Sequence, residues 1–354
     1  MRSGLIVAAL LGMAPARGWT ADASPTIGPR SGVIVEEVAE RSEGRRAGLR
    51  ADDEIAGWKR SAPPDATAAE GAVESPFDLM TVEIEQAPRG PVTLVGRREG
   101  QDREWTLGED DWGLVTRPQL PAALLALYKE GRARAAAAAA ETDGLASIAA
   151  WLLSADGRAA AAAQRWDEAD AGYRECTAIL RRDGLAAREL SALRGWCAET
   201  ESRGAAPTRE CVERGLSRAT DAAPGTLVLA MWLFEAADIA RRSGDNGLAV
   251  ARFERALEMR ERYARGSVVH IRTLNGLGGV AYGADLEAAG RYFRKALALA
   301  EAHVPESVHT ANSLNNVAEV ARERGDLAEA YEYHQRALAL RRRLGASTAA
   351  SLTI

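Results

Sequence analysis

Four histidines are the first candidates for chemistry, because imidazole serves both as a metal ligand and as a general base near neutral pH. They are His270, His303, His309 and His334, and none has a second ligand type at a metal-binding spacing. No H-E-x-x-H pattern is present. We therefore predict no metal site and no cofactor. We expect His334 to pack inside a helix, and His303 and His309 to lie in a loop on either side of Pro305.

The cysteines and the paired carboxylates form no catalytic set either. Cys176, Cys197 and Cys211 are too few for a disulfide framework, and none belongs to a C-x-x-C motif. Two interpretations of Cys197 and Cys211 stay open: a disulfide between neighbouring antiparallel helices if the chain is exported, or buried free thiols. Paired carboxylates such as Asp52-Asp53 fall where we expect turns, and G-x-S-x-G and P-loop motifs are absent. The sequence thus predicts that this chain is not an enzyme.

The composition excludes two classes of partner. The 354-residue chain has a net charge of -5, which gives no case for nucleic-acid binding or for attachment to an anionic membrane surface. Arginine far outnumbers lysine, which occurs only as Lys59, Lys129 and Lys295. Arginine favours phosphate recognition, but the excess of Ala, Arg and Gly runs along the whole chain and fits codon bias in a GC-rich genome. No internal segment is apolar enough for stable membrane insertion.

Three C-terminal segments repeat one pattern, and they define the elements that must position any site. FERALEMR at 253–260, FRKALALA at 293–300 and HQRALALR at 334–341 share Ala-Leu pairs at intervals of 40 and then 41 residues. A second matching block precedes each segment, after which a short break carries Asp with Gly or Ala. Each repeat therefore predicts a helix, a tight turn and a helix. Small residues fall where paired helices must approach closely, and the glycines at 276–279 imitate a nucleotide-binding loop only loosely.

This arrangement resembles the tetratricopeptide repeat, in the longer variant found in kinesin light chains and many bacterial proteins. The resemblance implies that helix pairs stack into an all-α solenoid, because one pair cannot bury its apolar stripe alone. It also implies an extended concave face that binds a protein or peptide ligand. Asparagine is unfavourable inside helices but can grip a peptide backbone, so the expected contacts are Asn275, Asn312, Asn315 and Asn316. The alternative is that these asparagines cap helix starts.

Residues 32–108 have the pattern of a small α+β recognition domain. GVIVEEV, at the start, alternates apolar and polar residues as a half-buried strand does. Ala47-Gly48-Leu49 then leads to Asp53-Glu54-Ile55, and a helix at 76–86 precedes two strands in PVTLVGRR and REWTL. This string and this order resemble the bacterial PDZ domain, although Asp52 stands where that family usually has glycine.

The PDZ resemblance implies a peptide ligand that adds as an extra strand beside the 76–86 helix. On that basis Phe77 and Met80 would lie nearest to the ligand. We expect the segment 61–76 to be a loop, since it is rich in Pro, Ala and acidic residues. The alternative is a degenerate fold that packs against the solenoid and binds no peptide.

Composition places the boundaries of three units. Residues 1–23 resemble an export signal, with a positive start, a short apolar stretch and small-residue cleavage sites. We therefore predict a bacterial protein that is periplasmic or secreted, or cytoplasmic if the start is misannotated. Residues 24–116 form the PDZ-like domain, and Pro118 and Pro121 mark its end. Residues 118–354 form the solenoid, with about five repeats of which the first two are degenerate.

The whole sequence predicts a multidomain chain, in which a small α+β PDZ-like domain precedes an all-α tetratricopeptide-repeat solenoid. Its predicted function is that of a protein–protein interaction scaffold or adaptor, which binds peptides or partner proteins on the concave face and in the PDZ-like groove. The alternative is the regulatory or sensor half of a longer enzyme, such as a repeat-linked caspase-like peptidase. Residues 347–354 retrace the approach to a further repeat, so we also expect the native gene to continue.

Overall fold

The structure, a computed structural model, describes residues 32–61 and 68–345. The predicted export signal at 1–23 and the segment 347–354 lie outside the described residues. A β-sheet region at 33–118 is followed by an all-α solenoid at 122–343. We call these two parts the sheet region and the solenoid, and they confirm the predicted fold class of an α+β part followed by an all-α solenoid.

Among the described residues, six strands and two α-helices build the sheet region. They are β1 (Val33–Val38), α1 (Glu43–Arg46), β2 (Glu54–Arg60), β3 (Ala69–Ala72), α2 (Pro76–Glu85), β4 (Val92–Arg98), β5 (Gln101–Leu107) and β6 (Leu114–Pro118). The strands pair antiparallel in the order β5-β4-β2-β1-β6, and β3 also pairs with β2. Alternate side chains along the strands, such as Val33 and Val35 of β1 and Val92 and Leu94 of β4, are buried in one core.

Two strands correct the sequence prediction. β3 lies within the segment 61–76, which the sequence predicts to be a loop. Its sequence AEGA has no β-branched or aromatic residue, so hydrogen bonding to β2 rather than intrinsic propensity makes it a strand. β6 runs antiparallel to β1 and ends at Pro118, beyond the predicted boundary at 116.

The turn before β2 shows why glycine suits position 52. Asp52 adopts a φ of 68°, in the left-handed region that glycine enters without steric cost and that Asp tolerates better than most residues. Its neighbour Asp53 is buried and accepts a hydrogen bond from the backbone N–H of Arg50 at 2.8 Å. Nε of Arg98 donates to the same carboxylate at 2.7 Å, which ties the turn to β4.

Twelve helices form the solenoid within the described residues. They are α3 (Ala122–Lys129), α4 (Ala133–Thr142), α5 (Ala146–Ala162), α6 (Trp166–Arg182), α7 (Ala186–Thr200), α8 (Ala205–Ala222), α9 (Leu227–Arg242), α10 (Asn246–Tyr263), α11 (Val268–Ala281), α12 (Leu286–His303), α13 (Val308–Glu323) and α14 (Leu327–Arg343). The five pairs from α5–α6 to α13–α14 correspond to the predicted repeats. The sequence does not predict the short α3–α4 pair, because alanine runs carry no contrast between apolar and polar positions.

Side-chain caps and glycine turns set the ends of the last six helices. Their capping residues each accept a hydrogen bond from the backbone N–H three residues ahead, and they are Thr226, Asp245, Ser267, Asp285, Ser307 and Asp326. Gly244 and Gly325 adopt φ angles of 81° and 82° between paired helices, which ends the first helix of the pair. The Gly-Asp break in the sequence therefore stops one helix and starts the next.

Small residues let the paired helices approach closely. The repeated alanines Ala256, Ala296 and Ala337 are all 0% exposed. Gly278 of α11 lies under the ring of Phe293 from α12, where an added Cβ would come within 2.4 Å of the ring. Gly276 and Gly278 therefore belong to helix packing and not to a nucleotide-binding loop.

The degenerate repeats carry two additional connections. A disulfide between Cys197 and Cys211 joins α7 to α8, with the Cα atoms 5.4 Å apart. Of the two open interpretations of these cysteines, the disulfide is the one observed. Glu189 of α7 is completely buried, and its two carboxylate oxygens accept hydrogen bonds from Nε of Arg181 on α6 and Nε of Arg218 on α8, each at 2.8 Å. One buried carboxylate thus connects three consecutive helices.

Candidate functional site

A cavity of about 400 Å³ opens on the side of the solenoid formed by the first helices of the repeats. We call this side the concave face. The lining comes mostly from α9, α11 and α13, together with Phe253 of α10, Phe293 of α12 and Arg341 of α14. It includes all four predicted asparagines, Asn275, Asn312, Asn315 and Asn316. The chain has five asparagines in total, so four of them meet at this one place, which we call the asparagine cavity.

Hydrogen bonds join the asparagines across neighbouring repeats. Nδ2 of Asn275 donates to Oγ of Ser313 at 3.0 Å, and Nδ2 of Asn316 donates to Oδ1 of Asn275 at 3.1 Å. Nη2 of Arg341 donates to Oδ1 of Asn312 at 2.9 Å. These contacts fix the amide orientations while leaving further donors and acceptors on each carboxamide, because an amide has two N–H groups and two oxygen lone pairs.

The alternative role of these asparagines as helix caps is wrong. Ser267 caps α11 and Ser307 caps α13, whereas the asparagines lie further along the same helices. Asn312 is exposed, and Asn315 and Asn316 are half-buried. Since asparagine costs helix stability relative to alanine, its presence here points to a role on the surface of the cavity.

An aromatic ring close to two guanidinium groups forms part of the cavity wall. Cζ of Arg272 lies 5.0 Å from the ring centroid of Phe234, and Cζ of Arg260 lies 4.8 Å from the same centroid. Arg260 is 4% exposed and donates to the backbone oxygen of Val269 at 3.0 Å. Burial, with a smaller contribution from the neighbouring Arg272, lowers the pKa of Arg260 to about 9.

The charges around the cavity are mostly positive. The guanidinium groups of Arg241, Arg272 and Arg341 line it, and Asp238 is the acidic residue of the lining. Nη2 of Arg241 lies 2.7 Å from Oδ1 of Asp238, which offsets that charge. The cavity therefore presents amide donors and acceptors beside guanidinium groups, a combination that can hydrogen-bond the backbone of an extended peptide.

The sheet region covers the neighbouring part of the concave face. Helix α2 packs against α7 and α9, and Oγ1 of Thr81 lies 3.0 Å from Oγ of Ser191 on α7. Nε of Arg188 on α7 donates to Oδ1 of Asp78 at 2.7 Å, and its Nη2 donates to Oε2 of Glu74 at 2.9 Å. The sheet region thus occupies the face at α7 and at the start of α9.

Of the two residues predicted to contact a ligand in the PDZ-like groove, Phe77 lies in this covered area. Phe77 is 5% exposed and packs in one cluster with Leu124, Trp151 and other residues of α3 to α6. Its side chain is therefore a contact between the sheet region and the solenoid, which corrects its placement in an open groove. Met80 is half-buried on the same helix.

Carboxylates of the sheet region meet the starts of successive first helices. Oε2 of Glu85 accepts from the backbone N–H of Val228 on α9 at 3.1 Å. Oε2 of Glu109 accepts from the backbone N–H of Val268 on α11 at 2.7 Å. These helix starts present backbone N–H groups and the positive end of the helix dipole, which favour anions.

Two histidines correct the expectation of a loop around Pro305. His303 is the last residue of α12, and His309 lies in the first turn of α13. Nε2 of His309 is 3.4 Å from Oδ1 of Asp110, so this residue both lines the asparagine cavity and contacts the sheet region. The predicted packing of His334 inside a helix is confirmed, since His334 is 7% exposed within α14.

Of the residues that line the asparagine cavity, the sequence analysis singles out the four asparagines and not the others. Phe234 occupies the same position in its repeat as Asn275 and Asn315, one residue after the buried leucines at 233, 274 and 314. Comparing this position along the repeats would have found Phe234. No sequence signal marks the carboxylates of the sheet region, since they lie far from their helix partners in the chain.

The described residues hold no group of three or more His, Cys, Asp or Glu side chains that could bind a metal ion. Within the same residues, no helix is long and apolar enough to cross a membrane.

Comparison with known proteins agrees with the repeat architecture. The family model described as tetratricopeptide repeat matches residues 227–302, which cover α9 to α12. No curated protein sequence matches this chain. The solved structure of BtubC (BKLC) from P. vanneervenii is similar at 17% identity with a TM-score of 0.53, over 64% of this chain and 94% of that chain.

Two further solved structures are less similar. A putative kinesin light chain with nearly identical TPR-like repeats from Podosopora anserina has 12% identity and a TM-score of 0.42, over 64% of this chain and 99% of its own. Aspartyl phosphate phosphatase F from Bacillus subtilis has 16% identity and a TM-score of 0.47, over 66% of this chain and 59% of its own. At these identities the comparisons concern the fold alone. Of the three structures, BtubC supports the fold, because its TM-score is the one above 0.5. The α-helical part of the chain is therefore a solenoid that contains tetratricopeptide repeats.

Proposed function

We propose that this chain is a protein–protein interaction scaffold, whose asparagine cavity holds an extended segment of a partner protein. The observation that carries the proposal is the meeting of four of the five asparagines in one cavity of the concave face. The tetratricopeptide-repeat fold supports it, because such solenoids present extended concave binding surfaces.

The dimensions of the cavity suit a short extended peptide. Packed helices lie roughly 8–10 Å apart, so the three first helices α9, α11 and α13 span roughly 16–20 Å. An extended chain rises about 3.3 Å per residue, so five or six residues, by this rough estimate, cross the cavity. Each carboxamide can then donate to a backbone oxygen and accept from a backbone N–H of the ligand.

We place the ligand on the solenoid rather than beside α2. The PDZ resemblance implies a groove next to that helix, but Phe77 would first have to leave its contacts with the solenoid. No feature of the described residues favours the alternative of a regulatory half of an enzyme.

The test starts from peptides selected by phage display against the immobilised full chain. Their affinity is then measured by calorimetry for the full chain and for Asn275→Ala and Asn316→Ala variants. Each variant should bind about tenfold more weakly, since one lost hydrogen bond costs about 1–1.5 kcal/mol. Asn246→Ala is the matched control, because Asn246 is exposed at the start of α10 and outside the cavity. Equal affinity for all three variants would exclude the asparagine cavity as the site.

We also propose that the protein works in an oxidising compartment. The Cys197–Cys211 disulfide supports this, because disulfides are rare in reducing cytosol, and the predicted export signal agrees with it. Alkylation of the protein from its native host, followed by mass spectrometry, tests the idea. Free thiols at both positions would contradict it.

A further inference from the structure

The covered half of the concave face, at α7 and the start of α9, shows which chemistry the first helices accept there. Nε of Arg188 on α7 donates to Oδ1 of Asp78 at 2.7 Å, and its Nη2 donates to Oε2 of Glu74 at 2.9 Å. Further along α7, Arg194 attracts the carboxylate of Glu83. The part of the chain that covers α7 therefore brings carboxylates to the arginines of a first helix.

Arg272 is an arginine of a first helix in the open half of the face, at α11 and α13. It is exposed and lines the asparagine cavity. Its guanidinium contacts the ring of Phe234, with Cζ 5.0 Å from the centroid, and it has neither an ion pair nor a hydrogen bond among the described residues. Because stacking on a ring uses the face of a guanidinium, the N–H groups along its edge stay available to a carboxylate.

A second positive charge lies against the same ring. Cζ of Arg260 is 4.8 Å from the centroid of Phe234, and the side chain of Arg260 is buried. Its hydrogen bonds go to two uncharged acceptors on α11. Glu235 attracts Arg260 through space, without an ion pair in the described part of the chain. Since a buried charge is only weakly screened, Arg260 adds to the attraction of Arg272 for an anion in the cavity.

The acidic residue of the cavity lining does not neutralise these two charges. Oδ1 of Asp238 lies 2.7 Å from Nη2 of Arg241, and its Oδ2 forms an ion pair with Arg242. Both carboxylate oxygens of Asp238 are thus already engaged by other arginines. The two guanidinium groups at Phe234 therefore keep their positive charge without a carboxylate partner among the described residues.

We propose that the segment held in the asparagine cavity carries an internal acidic residue, Asp or Glu, whose carboxylate binds the edge of Arg272. This inference rests on the proposed function, because it names the chemistry of the same ligand. Helix α11, which carries Arg272, is the middle one of the three first helices that line the cavity. A segment that crosses all three helices meets Arg272 along its length and not at its end. Its carboxylate takes the role that Asp78 has at Arg188 in the covered half.

Peptides that lack a free C-terminus provide the test. They are selected on the immobilised full chain as internal fusions to a phage coat protein, synthesised with both ends blocked, and measured by calorimetry. Every acidic residue of each peptide is replaced in turn by its amide, Asp by Asn and Glu by Gln. One such replacement should weaken binding to the wild type by about tenfold or more, because a hydrogen bond to a charged group is stronger than one between neutral groups.

Variants of the chain identify the partner of that acidic residue. Arg272→Gln should bind the acidic peptide about tenfold more weakly, and the amide replacement should then cost no further affinity, because the pair is already broken. Arg272→Lys should recover part of the affinity, since lysine keeps the charge but not the planar fork. Arg255→Gln is the matched control, because Arg255 is exposed on α10, outside the cavity and without an ion pair among the described residues. It should keep the wild-type affinity.

Failure of this inference is distinguishable from failure of the proposed function. If Asn275→Ala weakens binding but no acidic residue of the peptide matters, the asparagine cavity stays the site and the acidic ligand is wrong. If only a free C-terminal carboxylate makes binding depend on Arg272, the internal side chain is wrong. An equal loss in Arg255→Gln would show a general effect of charge and overturn the inference. If neither Asn275→Ala nor Arg272→Gln changes the affinity, both proposals are overturned.

Discussion

The concave face differs between its beginning, at α7 and α9, and its end, at α11 and α13. The first helices α7, α9, α11 and α13 each have a buried leucine, and the position two residues before it differs between them. This position holds Ser191, Met231, Arg272 and Asn312, in chain order. Ser191 contacts Thr81 of the sheet region, and Met231 is buried next to Arg194. Arg272 and Asn312 are exposed and line the asparagine cavity.

The position directly after the buried leucine also differs between the covered and the open part of the concave face. Arg194 of α7 faces Glu83 of the sheet region, whose carboxylate accepts the backbone N–H of Trp112 and whose pKa burial raises to about 7. Asn275 and Asn315 hold this position in α11 and α13 and face the cavity. One repeated backbone therefore carries two surfaces, and the side chains at a few equivalent positions differ between the surface that a part of the same chain covers and the surface that stays open.

The largest expected effect concerns the charged core of the covered half. Arg181→Met/Arg218→Met would leave Glu189 completely buried without its two ion-pair partners. We expect the free energy of unfolding to fall by about 3–5 kcal/mol, because a buried carboxylate without partners has lost its compensation for desolvation. Chemical denaturation monitored by circular dichroism measures the change.

Two further variants sharpen this result. Adding Glu189→Met should recover most of the loss, since apolar residues can replace a buried ion pair. Arg182→Met/Arg214→Met removes exposed ion pairs from the same two helices, α6 and α8, and should cost less than about 1 kcal/mol. If the free energy of unfolding fell equally in Arg181→Met/Arg218→Met and in Arg182→Met/Arg214→Met, Glu189 would have no special role.

The disulfide should also distinguish the covered half from the open one. Removing it in Cys197→Ala/Cys211→Ala should lower the free energy of unfolding by about 3 kcal/mol, the chain-entropy value for a loop of about 15 residues. Reduction of the wild type with dithiothreitol should produce a similar loss. The control is dithiothreitol added to the double variant, which should change nothing; a further loss there would mean that reduction acts elsewhere.

The smallest effect is a gain of stability in the open half. His334 occupies the repeat position of Phe253 and Phe293, and neither of its ring nitrogens has a hydrogen-bond partner among the described residues. His334→Phe removes these buried polar atoms and should raise the free energy of unfolding by about 1 kcal/mol. His309→Phe, at a partly exposed position, is the comparison and should give no such gain. A destabilised His334→Phe chain would show that the imidazole is needed in its place.

The helical part of the fold could be predicted because its signals are local. The small residues at Ala256, Ala296 and Ala337 and the Gly-Asp turns recur at a nearly fixed interval, and each reports a contact within one repeat. β3 and β6 could not be predicted, because their pairing with β2 and β1 depends on residues distant in sequence. The α3–α4 pair lacks a signal since alanine does not mark a buried face.

The site was predictable to the extent that its residues are unusual for their element. Polar Asn275, Asn312, Asn315 and Asn316 inside predicted helices suggest a binding surface. Phe77 was placed wrongly in an open groove, because an apolar residue on a helix has the same pattern whether a ligand or another part of the chain covers it. The pairing of Glu109 with the start of α11 had no local signal at all.

The central claim is that a ligand occupies the asparagine cavity while the sheet region covers the rest of the concave face. A hydrogen–deuterium exchange footprint of a display-selected peptide on the full chain, at pH 6, tests it most directly. The account predicts added protection in 268–281 and 308–323 and unchanged exchange in 186–200. Protection confined to 33–118, or centred on 186–200, would contradict it.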